Sequence, residues 1–100
     1  MVAVEATSAQ TIAFTHGPNP ARGGGVLRFQ LPDAARVQLD VYDAAGRRVA
    51  RLADGIMTAG AHSVQWLRTD DGGRRMGPGV YLARLKSGEV EKSLHIVLLD

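Results

Sequence analysis

The sequence predicts an all-β sandwich of about seven strands. Three observations carry that prediction. Apolar and polar residues alternate in short runs, most cleanly from Arg36 to Tyr42 and from Gly79 to Leu85. Clusters of Gly, Pro and Asp interrupt these runs roughly every 8–12 residues, the spacing of strand and turn in a sandwich. The one segment with helical charge placement, Ala44 to Leu52, is short and bounded by turn glycines, which favours a strand there.

Residues 1–9 are small and polar-leaning and read as a lead-in, with one domain over 10–100. Gln10 to Thr15 alternates weakly and forms the first expected strand. His16-Gly17-Pro18-Asn19-Pro20 follows, where two prolines exclude a helix and impose an extended turn. Gly23-Gly24-Gly25 is a joint, and Val26 to Leu31 is the second strand, stopped by Pro32. From Arg36 to Tyr42, Val37, Leu39 and Val41 share one face and Gln38, Asp40 and Tyr42 the other. Asp43-Ala44-Ala45-Gly46 closes a hairpin, in which Gly46 supplies a positive φ. The return strand is expected over 47–52, with a bulge or bend near Leu52, and 53–61 as a loop crossing to the other sheet.

Ala61 to Leu67 alternates again, with His62, Val64 and Trp66 on one face. Arg68 to Pro78, rich in Asp and Gly, reads as a long turn. Gly79 to Lys86 is expected to be a central strand, and the rest of the chain is organised around it. Lys86-Ser87-Gly88-Glu89 is a tight turn, and Val90 to Leu99 is the last strand. Together these make an immunoglobulin-like or fibronectin-III-like sandwich. Val37, Leu39, Val41, Val64, Tyr81, Ala83 and Leu85 are expected in its core.

Composition narrows the function. Twelve basic residues face ten acidic ones, for a net charge of +2, and the arginines are scattered over several segments, so no nucleic-acid partner is expected. No apolar run reaches the length of a membrane helix, so no membrane insertion is expected. There is no cysteine, which leaves the fold to packing alone. The first residues carry neither a basic start nor an apolar block, so export requires a signal peptide in a longer parent chain.

No catalytic constellation emerges. Ser8, Ser63, Ser87 and Ser93 lie in no nucleophile context, and His16, His62 and His95 are at no metal spacing. The chain is therefore expected not to be an enzyme, and no cofactor is expected. Asp70 and Asp71 are weak candidates for calcium, because a calcium site needs several converging oxygens; turn formation is the favoured role. Trp66 reads as a core residue, against the alternative of an exposed sugar-stacking platform. Tyr81 reads as a core or corner residue with its hydroxyl bonded to backbone. A Lys–Asn crosslink through Lys86 or Lys92 and Asn19 or an aspartate is the weakest alternative. The interaction candidates are Pro18, Asn19 and Pro20, and the last strand with Val90, Leu94, Ile96 and Leu98, since an edge strand can extend a partner's sheet.

The ordered blocks resemble a known family. Leu31-Pro32, Val37-Gln38-Leu39-Asp40-Val41-Tyr42-Asp43-Ala44-Ala45-Gly46-Arg47-Arg48-Val49, Ala59-Gly60-Ala61-His62-Ser63-Val64-Gln65-Trp66 and Gly79-Val80-Tyr81-Leu82-Ala83-Arg84-Leu85 are similar to the immunoglobulin-like domain of the flagellar hook-capping protein. They are also similar to the related C-terminal sorting domains of type IX secretion, whose opening Pro-Asn-Pro matches Pro18-Asn19-Pro20. The chain departs from the pattern after the tryptophan, where Leu67-Arg68 replaces the family's Asp-Gly. It departs again at Val97-Leu98-Leu99-Asp100, where sorting domains carry a basic residue. The resemblance implies a non-catalytic C-terminal accessory domain of a secreted or cell-surface bacterial protein, reached through the periplasm. It would serve sorting, attachment or assembly, with secretion or surface machinery or neighbouring subunits as protein partners. The alternatives are a scaffold subunit joined by edge strands and a carbohydrate-binding appendage.

Overall fold

A computed structural model describes residues 13–17 and 23–99. These form seven strands: β1 Ala13–Gly17, β2 Gly25–Leu31, β3 Ala35–Tyr42, β4 Arg48–Met57, β5 Gly60–Trp66, β6 Gly79–Ser87 and β7 Val90–Leu98. All pairings are antiparallel. A three-stranded sheet in the order β1-β2-β5 packs on a four-stranded sheet in the order β4-β3-β6-β7. The chain is thus an immunoglobulin-like sandwich in which β4 stays beside its hairpin partner β3, instead of joining the sheet of β5 as the fourth strand of a constant-type domain does.

The alternation seen in the sequence is what builds the core. In β3, Val37, Leu39 and Val41 point inward with no exposed surface. Leu39 stands opposite Leu85 of β6 and Val41 opposite Ala83. Leu27, Phe29 and Leu31 of β2 and Trp66 of β5 meet them from the other sheet, and Tyr81, Ile96 and Leu98 close the ends. Each fully buried aliphatic side chain contributes about 1.5–3 kcal/mol. Val64 is half-buried and packs against this cluster from its edge, less deeply than the pattern predicts. The β6 strand lies between β3 and β7, as a central strand should.

The main departure from expectation is β4. It continues through residues 53–57, where a loop was expected. Two register shifts explain the failure of a period-two reading. Leu39 faces Ala53 while Asp40 faces Arg51, so Leu52 is the extra residue at the first. Val41 faces Ala50 while Tyr42 faces Arg48, so Val49 is the extra residue at the second. Each bulge flips the alternation, leaving Ala50 buried and Val49 and Leu52 half-buried. The crossing to β5 is left to Thr58 and Ala59 alone.

One glycine is fixed by crowding. A Cβ on Gly24, at φ +95°, would lie 1.9 Å from the backbone oxygen of Trp66, so only glycine lets β2 begin beside the end of β5. At the opposite end of the four-stranded sheet, the β6–β7 hairpin turns at Gly88-Glu89 and carries the chain's two lysines, Lys86 and Lys92, both exposed.

Candidate functional site

Two turns at one end of the sandwich are built alike. The sequences Asp43-Ala44-Ala45-Gly46-Arg47-Arg48 and Asp70-Asp71-Gly72-Gly73-Arg74-Arg75 share the pattern Asp-x-x-Gly-Arg-Arg. An aspartate that bonds its own turn explains the local fold. In the first turn, Asp43 Oδ1 accepts the backbone N–H groups of Ala45 at 3.0 Å and Arg47 at 2.9 Å, and Oδ2 accepts Arg47 Nε at 3.1 Å. In the second, Asp70 Oδ1 accepts those of Gly72 at 2.9 Å and Arg74 at 2.8 Å, and Oδ2 accepts Arg74 Nε at 3.3 Å. The backbone closes identically, through Gly46 N–H to Asp43 O and Gly73 N–H to Asp70 O, both at 3.0 Å. Both glycines sit at φ +87°, a conformation that favours glycine.

These bonds hold both carboxyls below the ordinary 3.8. The largest cause is the backbone N–H of Arg47 for Asp43 and that of Arg74 for Asp70. The turns are also tied together. Asp71 N–H donates to Val49 O at 3.0 Å, and Arg51 N–H donates to Asp71 Oδ1 at 3.1 Å, so the second turn grips the start of the strand that the first turn launches. Between them lies a cleft of about 350 Å³, with Val49 and Met76 in its lining and the Arg47, Arg48 and Arg74 side chains around it. The side chains of Arg47 and Arg74 are 82% and 86% exposed.

Asp70 and Asp71, weak calcium candidates in the sequence, thus spend oxygens on backbone N–H groups, and an arginine occupies the remaining approach to Asp70. Among the described residues, no group of three acidic or histidine side chains converges on a metal position. Asp40, assigned to the outer face of β3, is only 4% exposed because Arg51 lies over it, with Nε 2.9 Å from Oδ1. That bond is the main cause raising the Arg51 pKa.

Behind the second turn sits a buried constellation. Trp66 is 2% exposed, so it offers no platform to a sugar; its indole N–H donates to Thr69 O at 2.9 Å, and its ring meets Tyr81 edge-on at 5.5 Å. The Tyr81 hydroxyl donates to Gly77 O at 2.7 Å, four residues upstream, in the manner of a tyrosine corner. Sequence reasoning missed Arg68. It is 1% exposed and holds φ +51°. Its Nε and Nη2 donate to Met76 O at 3.0 and 2.9 Å, and its Nη1 donates to Leu99 O at 2.7 Å. Arg68 therefore fastens the second turn to the end of β7. The signal available was positional: it stands where the family pattern has glycine, the residue that tolerates positive φ.

The interaction candidates divide. Pro18, Asn19 and Pro20 lie outside the described residues, as do the lead-in and the start of the first expected strand. The side chains of Ile96 and Leu98 are buried in the domain's own core, so a partner at β7 would meet the edge of the strand, the last in its sheet, and not those side chains. Val90 and Leu94 are half-buried against that core. β7 alternates, and the apolar half of its side chains is the core half. Gly46 and Leu39 take structural places in the first turn and the core. The most exposed large apolar side chain described is Ile56 of β4, at 73%.

Comparison with known proteins gives the family. The model of the FlgD Ig-like domain matches residues 17–89. The chain belongs to the FlgD Ig-like domain family. This FlgD Ig-like fold also recurs within larger solved structures. Dimeric latent PorU from Porphyromonas gingivalis is similar with a TM-score of 0.69 at 20% identity, over 89% of this chain and 9% of that one. PorZ, described as an essential bacterial surface component of the type IX secretion system of the same organism, is similar with a TM-score of 0.63 at 19% identity, over 88% of this chain and 12% of that one. At such identities the likeness is one of fold, and the chain spans about a tenth of each of these proteins. A search of curated proteins finds no match. Among the described residues, no helix is long and apolar enough to cross a membrane.

Proposed function

We propose that this FlgD Ig-like domain is a non-catalytic accessory module of a secreted or cell-surface bacterial protein, serving sorting, attachment or assembly through protein contacts. The observation that carries the reading is the family match over residues 17–89, in a fold that recurs as a small part of PorU and of PorZ, the latter a surface component of the type IX secretion system. A domain whose Asp43, Asp70 and Asp71 carboxylates are committed to backbone bonds suits recognition better than chemistry. On this reading the parent chain supplies a signal peptide, passes the periplasm and carries this module over residues 10–100.

The test is delivery of the parent protein in its host. Deleting the domain should abolish surface display or release of the parent, and restoring it should recover both. Unchanged delivery without the domain would remove the proposal. A scaffold role is the second reading, and the exposed Ile56 on the edge strand β4 favours it. Light scattering over a wide concentration range separates the two. A monomer throughout fits the sorting or tethering module, whereas oligomers that vanish in Ile56→Lys fit the scaffold.

A further inference from the structure

We infer that the paired Asp-x-x-Gly-Arg-Arg turns form a docking cleft for an acidic polypeptide segment. The inference rests on the reading of the domain as a protein-recognition module and names the chemistry of its partner. Four arginines, Arg47, Arg48, Arg74 and Arg75, are brought to one end of the sandwich by two turns of the same construction. In each turn the aspartate holds the guanidinium by Nε alone. The two Nη groups of Arg47 and Arg74 keep their donors for an outside acceptor, on side chains that are more than four-fifths exposed. A guanidinium steadied at one edge loses less rotamer entropy when its other edge takes a carboxylate, and an arginine–carboxylate pair joined by two parallel bonds is among the stronger polar contacts. Among the described residues, no side chain or carbonyl accepts a bond from the Arg48 or Arg75 guanidinium.

The negative charges beside them do not cancel this arrangement. The Asp43 and Asp70 carboxylates face into their own turns, where two backbone N–H groups each compensate them. Asp71 is likewise bonded to Arg51 N–H. The turns thus present four exposed arginines against the one exposed carboxylate of Asp71, with Asp43 and Asp70 lining the cleft but turned into their own turns. The shape of the site selects among anionic partners. The cleft of about 350 Å³ has Val49 and Met76 in its lining, and so takes a side chain that ends in a carboxylate and brings methylenes to cover those two residues. Glutamate in an extended chain has both parts. A flat anionic membrane would meet the exposed guanidinium tips and leave the cleft unfilled.

The experiment uses the purified chain and a fluorescent oligoglutamate peptide, read by anisotropy at low and at physiological salt. Saturable binding that weakens with salt is expected. Arg48→Gln/Arg75→Gln, which removes no bond within either turn, should weaken it about tenfold, and Arg47→Gln/Arg74→Gln at least as much. The first pair keeps the test sound if the second loosens the turns; thermal melts identify that case. Absence of saturable binding overturns the inference. So does binding unchanged in both double variants, or binding to phosphatidylglycerol vesicles in preference to the peptide. Failure here is distinguishable from failure of the module reading. Delivery that depends on the domain while oligoglutamate does not bind removes the acidic partner and leaves the module. Peptide binding combined with delivery indifferent to the domain removes the biological role of the module.

Discussion

Replacing Arg68 tests whether a buried arginine is a structural clasp. Arg68→Ala deletes at least the three hydrogen bonds to Met76 O and Leu99 O and leaves those carbonyls without their donors. An unmet buried polar group costs about 1–3 kcal/mol; Leu99 is exposed and its carbonyl can turn to water, so the loss is set by the Met76 carbonyl and comes to about 1–3 kcal/mol. A domain of this size has about 5–15 kcal/mol in all. Backbone conformation adds a second, opposite effect. Arg68 holds φ +51°, a region that costs a non-glycine residue on the order of 1 kcal/mol. Arg68→Gly loses the same bonds and relieves that strain, so it should be about 1 kcal/mol more stable than Arg68→Ala. Arg68→Lys keeps the charge but cannot reach both carbonyls as a fork does, and should resemble Arg68→Ala. Urea unfolding followed by Trp66 fluorescence measures all three, since that tryptophan is buried next to the clasp. Midpoints should fall with little change in slope. The reasoning is refuted if Arg68→Ala unfolds at the parent midpoint, or if Arg68→Gly is the less stable of the pair.

Three further outcomes follow from the same geometry. Leu39→Ala, at a position with no exposed surface, should cost about 2–5 kcal/mol in a thermal or urea melt; a loss below about 1 kcal/mol would show that the sheets close over the gap. Tyr81→Phe removes only the bond to Gly77 O and should cost about 0.5–1.5 kcal/mol by the same melts. The folded-state pKa values of Asp43 and Asp70 lie below their ordinary 3.8, so the folded protein binds fewer protons there than the unfolded chain. Their contribution is complete above about pH 4 and is lost as pH falls through the lowered values. Acid titration of stability should therefore be flatter below pH 4 in Asp43→Asn/Asp70→Asn than in the parent.

Strand positions were legible wherever two-residue alternation met turn chemistry. β3, β5 and β6 begin and end within a residue of where Arg36 to Tyr42, Ala61 to Leu67 and Gly79 to Lys86 predict. Alternation fails at a bulge, because one inserted residue reverses the faces, and β4 contains two, at Val49 and Leu52. Its second half was therefore unreadable. Burial of Arg68 was hidden for another reason: a charged residue reads as solvent-facing, and only the fold brings Met76 O and Leu99 O within its reach. The inward turn of Ile96 and Leu98 was not legible either, because the apolar residues of an edge strand can face its own core or a partner. The paired turns were different. Their common pattern stands in the sequence at residues 43 and 70, but their adjacency needed the fold.

The placement of Lys86 and Lys92 has a practical consequence. Both side-chain amines lie on the β6–β7 hairpin, at the end of the four-stranded sheet away from the paired turns. Amine-reactive chemistry on a sensor chip or bead will therefore anchor those side chains by that hairpin. The arginine-bearing turns then face the flowing sample, and the surface under study stays unmodified by the coupling itself.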